Sequence, residues 1–419
     1  MLFPRRLEEV QKYLLPSSEN NCRSTPSSHN KYIWLHASRG VKAERSLVKL
    51  AWATNCREFE YSRPGVEKFH VSFQALQDMV HTTENMLLNA FDSLLPSTFD
   101  GNAVAQLPWD TLHDDGSKPE SFIDAEGTWN EWLGPAVTKL KLAYLDSAET
   151  RHRLTADSDA GRASFSAFNK LLELDTKFQE ALVGELVSAA GISPRIGTLQ
   201  DYRFRADSEG VRNLFLVLEA VVIEGGKQKA EWSRNGEREL VIRALTPRAG
   251  ICLVRYLALV RLALVEIMVE NRWHSNVVNT YKTHLFARPA RKKEAKGLWQ
   301  PCQIAAAWHA ISAPFLKAKT SIVDVRQYGS GIYDKLFPIL LGAPEESAEI
   351  AVDRLGDHKK KIRVNHYGRS DALCNGHSEP DTRDFILACR VWQSAMRAFP
   401  VDRSWPESIV RSVLLTYGQ

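Results

Sequence analysis

Between Arg212 and Arg243 the texture of the chain changes, and that change limits the folds open to it. The runs RNLFLVLEAVVIEGGKQKA and RELVIRAL are rich in leucine and β-branched residues, and they are parted by Gly225-Gly226 and by Ser-Arg-Asn-Gly at 233–236. Such runs, bounded by residues that turn the backbone, predict two or three antiparallel strands. On both sides the apolar period is helical. Helices are expected over 130–150 and 163–190, the latter closing on a glycine, and then over 247–271, 301–318, 328–341, 380–398 and 405–416. The segment from Val66 to Leu95 steps its apolar residues by three and four, which predicts an amphipathic helix or a broken pair ending at Pro96. The expected class is therefore mainly α with a small antiparallel sheet, α+β.

A chain of 419 residues exceeds one compact core and predicts two domains. The polar stretch AETRHRLTADSDAGR places the boundary near 150–162, giving a helical domain over 1–155 and a second domain over 160–419. Residues 15–30, rich in Ser, Asn and Pro, read as loop or disorder, and 97–129 read as a long irregular surface excursion. Within that excursion His113-Asp-Asp-Gly reads as solvated loop carboxylates. No run approaches the ~20 apolar residues of a membrane span, and Met1-Leu-Phe-Pro-Arg-Arg lacks a signal-type apolar core, so an intracellular protein without a membrane partner is expected.

Several chemistries find no support. The six cysteines are scattered singly, which indicates neither a disulfide framework nor a zinc ribbon. Cys374 and His377 offer two metal ligands without two more at suitable spacing, so no metal is expected. The P-loop, GxGxxG, HExxH and GxSxG patterns are absent, and no cofactor is implied. A net charge of +4 says little by itself, but the positive residues cluster in RPARKKEAK at 288–296 and KKKIR at 359–363. Arg291, Lys292, Lys293, Lys359, Lys360, Lys361 and Arg363 are thus candidates for neutralising phosphates, with a plain solvated basic face as the alternative.

Phosphodiester transfer without a metal needs fixed cations on the non-bridging oxygens, an acid for the leaving oxygen, and a nucleophile in line. Arginine suits the oxygens because its guanidinium is always charged and presents a planar fork. The chain offers, in order, Arg195 in GISPRIGTLQDYRF, Lys227 and Lys229 in the hairpin turn, Arg326 in VDVRQYGSGI, His358, and Tyr367 nine residues later. Each has a structural alternative: a surface arginine, a helix-capping arginine, a solvated histidine, a tyrosine packed by its ring. Arg255 and Arg261, six residues apart on a helix, point to different sides, and Arg261 as first clamp would follow the hairpin lysine in sequence.

That order of residues resembles the catalytic domain of tyrosine recombinases, the site-specific integrase family. The interval from Leu355-Gly-Asp-His358 to Tyr367 matches the family's last motif, and Val323-Asp-Val-Arg326 stands where members usually carry His-Asp-Leu-Arg. ISPRIGTLQDYRF, RNLFLVLEAVVIEGGK, RALTPRAGICLVRYLALVR and GDHKKKIRVNHYG are similar to the recombinase-like regions of fungal Crypton-type transposable elements and of frames joined to subtelomeric helicases. The likeness covers about 165–400. It implies that Arg195 and Arg326 clamp the scissile phosphate, Lys227 protonates the leaving 5′ oxygen, His358 assists proton movement, and Tyr367 forms a 3′-phosphotyrosyl link. Lys229 competes for the lysine role, and Lys227 is preferred because it follows the strand directly. The resemblance further implies a nuclear, DNA-recombining enzyme that clamps double-stranded DNA between its two domains and works on it as a dimer or tetramer. Val323 departs from the pattern by removing the usual proton-carrying histidine, and this leaves open a domesticated DNA-binding protein of the same fold.

Overall fold

The computed structural model describes residues 49–53, 58–63, 66–97, 99, 114, 121–124, 128–145, 160–208, 211–217, 220–226, 240–290, 297–316, 320–341, 372–374 and 377–396. The protein is mainly helical with small antiparallel sheets, in the α+β class. It divides into two compact units between Ser72 and Phe73.

In the first unit β1 (Lys49–Trp52), β2 (Glu58–Arg63) and β3 (Val66–Ser72) form an antiparallel sheet in chain order. The helix expected to begin at Val66 therefore begins at Phe73. The physical reason lies in a period of two: Phe69 and Val71 are buried while Lys68 and His70 are exposed, and on β2 Phe59 and Tyr61 are buried beside the half-exposed Glu60. The alternation in FHVSF passes into the helical spacing after Phe73 without a turn residue, which hid it. Tyr61 and Phe69 face each other in register with ring centroids 5.0 Å apart.

The second unit is built on two long helices, α1 (Phe73–Leu94) and α3 (Ala160–Ser188), with α2 (Thr128–Leu145) between them in sequence. They cross α8 (Pro301–Leu316) where Gly184 permits it: a Cβ at that position would lie 2.6 Å from the Thr83 methyl and 2.9 Å from Ile311 Cδ1. The polar stretch expected to separate two domains thus lies between helices of one unit, since α1 and α3 pack side by side.

The strands expected from the β-branched block are β4 (Leu214–Val217), β5 (Ala220–Gly226) and β6 (Leu240–Ala244), antiparallel in chain order. Both borders of this sheet are covered, as exposed edges usually must be. At β4 the Leu216 amide donates to Asp114 Oδ2 at 2.7 Å, and Arg212 pairs with Asp114 Oδ1 at 2.6 Å. Asp114 is consequently buried against the sheet edge rather than solvated, and Phe122 and Ile123 of the same irregular stretch are buried too. At β6 the cover is α10 (Glu379–Ala395): Gln393 Nε2 donates to Ala244 O at 2.8 Å, and Arg390 Nη1 to Leu245 O at 2.9 Å.

After the sheet, Thr246 caps α5 (Pro247–Arg255), accepting from the Ala249 amide with proline at the first turn. A π-helical segment, Tyr256–Arg261, leads into α6 (Leu262–Glu270), and α7 (Ser275–Thr283) follows, a helix the period reading does not separate. α9 (Ile322–Leu341) opens with a capping box in which Ser321 N donates to Asp324 Oδ2 at 2.8 Å and Asp324 N to Ser321 Oγ at 3.3 Å. The short pair β7 (Ala372–Cys374) and β8 (His377–Ser378) precedes α10.

Candidate site around Arg195 and Arg326

Arg195 sits where the chain leaves α3. Gly191, at φ +93°, reverses the backbone in a conformation that favours glycine, and Ser193-Pro194 carries it to α4 (Ile196–Gln200). Arg195 is the N-cap, with φ −71° and ψ 145°; its carbonyl accepts from the Thr198 and Leu199 amides at 3.0 Å, and its side chain is half-buried. The turn is fastened to the sheet below. Arg243 Nε, on β6, donates to Ile192 O at 2.9 Å.

That fastening lies at the base of the β5–β6 hairpin. Gly225 is two residues before Lys227, and a Cβ on it would stand 3.1 Å from Thr198 Cγ2, 3.1 Å from the Tyr202 hydroxyl and 3.5 Å from Arg243 Nη1. The helix carrying Arg195 therefore lies directly on the strand leading into the hairpin. Glycine inside a strand serves such a close approach.

Arg326 is brought in by α9. One turn along that helix is Gly329, where a Cβ would lie 3.9 Å from Cη2 of Trp392; the same indole donates from Nε1 to Ser188 O at 2.8 Å. The residue that ends α3 and the helix bearing Arg326 thus share one indole on α10. Arg326 is half-buried, and Asp324 beside it is used up as the partner of Ser321. Val323, one turn before Arg326, is 51% exposed.

These are the two candidate site residues among the described part of the chain. Lys227, Lys229, His358 and Tyr367 lie outside the described residues, as do Arg291, Lys292, Lys293, Lys359, Lys360, Lys361 and Arg363. Cys374 and His377 lie on β7 and β8, and no cluster of three or more potential metal ligands occurs among the described residues.

Arg261 has another task, as its order in the chain suggests. It is fully buried, with Nε donating to the Tyr256 hydroxyl at 3.0 Å, Nη1 to His284 O at 3.2 Å and Nη2 to Leu285 O at 3.0 Å. In an α-helix, residues five apart lie well round from each other; the wider π turn puts Tyr256 and Arg261 on one side. The Tyr256 hydroxyl donates in turn to Asp175, which also accepts from Tyr281 at 3.2 Å and Gln179 at 2.7 Å. The guanidinium lies 5.0 Å and 4.9 Å from the ring centres of Tyr256 and Tyr281. Burial pushes the Asp175 carboxyl upward, opposed by the Arg261 charge and the three donors.

A second buried cluster joins α1, α3 and α5. The Thr246 hydroxyl lies 2.9 Å from Glu84 Oε1 and 3.0 Å from Glu185 Oε1. One hydroxyl has one proton to give, so two carboxyls around it hold together best when one is protonated. Arg248 Nη1 lies 3.2 Å from Glu84 Oε2. Burial, and then the charge of Glu84, push Glu185 up to about 8.

Sequence reasoning missed Arg243, the Asp175 cluster and the Glu84–Glu185 pair. The available signal for Arg243 was a lone cation in the apolar run LVIRA.

No family model, curated protein or solved structure matches this chain. Among the described residues, no helix is long and apolar enough to cross a membrane.

Proposed function

We propose that the chain is a DNA strand-transfer protein in which Arg195 and Arg326 hold a backbone phosphate, Lys227 serves the leaving oxygen, His358 assists, and Tyr367 is the nucleophile. The observation that carries this reading is the fastening of the Arg195 turn at two points. Gly225, at the foot of the hairpin leading to Lys227, receives Thr198; and Trp392 bonds Ser188 and stands 3.9 Å from where a Cβ at Gly329 of the Arg326 helix would lie. These links between stretches far apart in sequence support the reading. In the proposed reaction the Tyr367 oxygen attacks phosphorus as its proton passes to His358, the bond to the 5′ oxygen breaks, and that oxygen takes a proton from Lys227. The reverse attack by a 5′ hydroxyl reseals DNA without an outside energy source.

Incubation with nicked suicide DNA tests the chemistry. A covalent protein–DNA adduct is expected from the wild type and none from Tyr367→Phe, with DNA affinity unchanged. Absence of adduct from the wild type, under conditions where a control recombinase is trapped, removes the catalytic reading.

One observation favours a second reading, a DNA-binding protein of this kind without the chemistry. Val323 stands one turn from Arg326 and offers no proton carrier. Under it, salt-dependent DNA binding persists and no adduct forms.

A further inference from the structure

Among the described residues three arginines are at least nine-tenths buried, and two of them are electrically provided for. Arg212 pairs with Asp114, and Arg261 reaches Asp175 through the Tyr256 hydroxyl. Arg243 is different. It is 6% exposed, its Nε is spent on Ile192 O, and no carboxylate pairs with it among the described residues. A buried cation without an anion is costly, because its hydration is lost and nothing replaces it.

The surroundings give this charge a direction. Arg243 stands opposite Ile223 in the β5–β6 register, so it shares a sheet face with Gly225, and over that face lies the segment from Ile192 to Tyr202. Nη1 borders the close approach over Gly225, which it shares with the Thr198 methyl and the Tyr202 hydroxyl. Glu224, the acidic residue next along β5, projects from the opposite face. The guanidinium therefore lies between the Arg195 turn and the foot of the hairpin, with donors remaining on its Nη groups.

We propose that Arg243 is a third guanidinium of the same phosphate site: Nε positions the Arg195 turn, and the Nη donors contribute to holding a phosphate oxygen of the nucleic-acid backbone. This rests on the strand-transfer reading for the identity of the ligand, though not for its chemistry, an oxyanion. The absent carboxylate is part of the design, since one in place would occupy the fork that the phosphate needs.

Arginine side-chain NMR of the full chain, titrated with inorganic phosphate, tests the anion site, with Arg243 assigned from the spectrum of Arg243→Lys. The Arg243 and Arg195 signals are expected to shift together and saturate; an Arg243 signal that stays still overturns the proposal. Duplex DNA binding as a function of salt adds the second arm. Arg243→Met is expected to lower the slope of log affinity against log salt by about 0.9, the equivalent of one phosphate contact, while Arg243→Lys retains it. Loss of stability in both variants with the slope unchanged assigns Arg243 a structural role only, which also overturns the proposal. Phosphate that moves Arg243 in a protein without DNA affinity sinks the DNA reading alone; DNA affinity with Arg243 unmoved sinks this inference alone.

Discussion

The Asp175–Arg261 cluster and the surroundings of Arg243 both hold a buried guanidinium, yet only the first supplies it with a carboxylate. Around Asp175 every participant has a named donor or acceptor, and the guanidinium is flanked by two tyrosine rings. Around Arg243 one guanidinium nitrogen is matched to a carbonyl and no carboxylate appears among the described residues. Polar groups that fold a protein satisfy one another; polar groups that wait for a ligand are left partly unmatched. The contrast separates arginines that look alike in sequence.

The largest expected effect tests the complete side. Arg261→Met leaves Asp175 buried without its compensating charge, and a loss of about 3–5 kcal/mol in unfolding free energy is expected from chemical denaturation. A loss below about 1 kcal/mol would show that the tyrosines and Gln179 alone sustain the carboxylate, and the contrast would be broken from that side.

The Glu84–Glu185 pair lies between the two cases, because it completes itself with a proton. A carboxyl raised from an ordinary 4.5 to about 8 makes the folded state hold a proton that the unfolded state has released between those pH values. Stability contributed by this group is therefore full below about pH 4.5, falls as pH rises, and is lost above about pH 8, with a slope of at most roughly 1.4 kcal/mol per pH unit. Glu185→Gln mimics the protonated form and is expected to flatten the thermal stability profile across that window. Parallel profiles for variant and wild type would place the proton elsewhere.

The smallest expected effect sharpens the incomplete side. Arg195→Ala is expected to cost far less unfolding free energy than Arg261→Met, about 1 kcal/mol or less, because Arg195 is half-buried whereas Arg261 is fully buried. The same variant is expected to reduce the salt slope of DNA binding by about 0.9. A destabilisation of several kcal/mol with an unaltered slope would move Arg195 to the structural side.

The periodic features of this chain were legible from the residues alone. The strands at 214–226 and 240–244, the helices on either side of them and the glycine that closes α3 all follow from local pattern. The sheet of the first unit was not, because the alternation of Phe69 and Val71 runs directly into the helical spacing that starts at Phe73, with no turn residue to mark the change. Asp114 was misjudged for a different reason. Its partners, Arg212 and the Leu216 amide, lie 98 and 102 positions away, and pairing over such distances leaves no trace in local composition. The Arg195 turn was singled out as a candidate by its motif, whereas Arg243 draws notice through the hydrogen bond to Ile192 and the close approach at Gly225, which belong to tertiary structure.

The helix over Glu379–Ala395 closes the border strand β6 with side chains, since Gln393 and Arg390 bond Ala244 and Leu245 where a further strand would otherwise add. A shortened protein ending before that helix would leave the sheet with an open rim, ready to recruit a neighbouring copy into fibrous growth. That helix is thus a stopper for the sheet, and any dissection of the second unit has to carry it along.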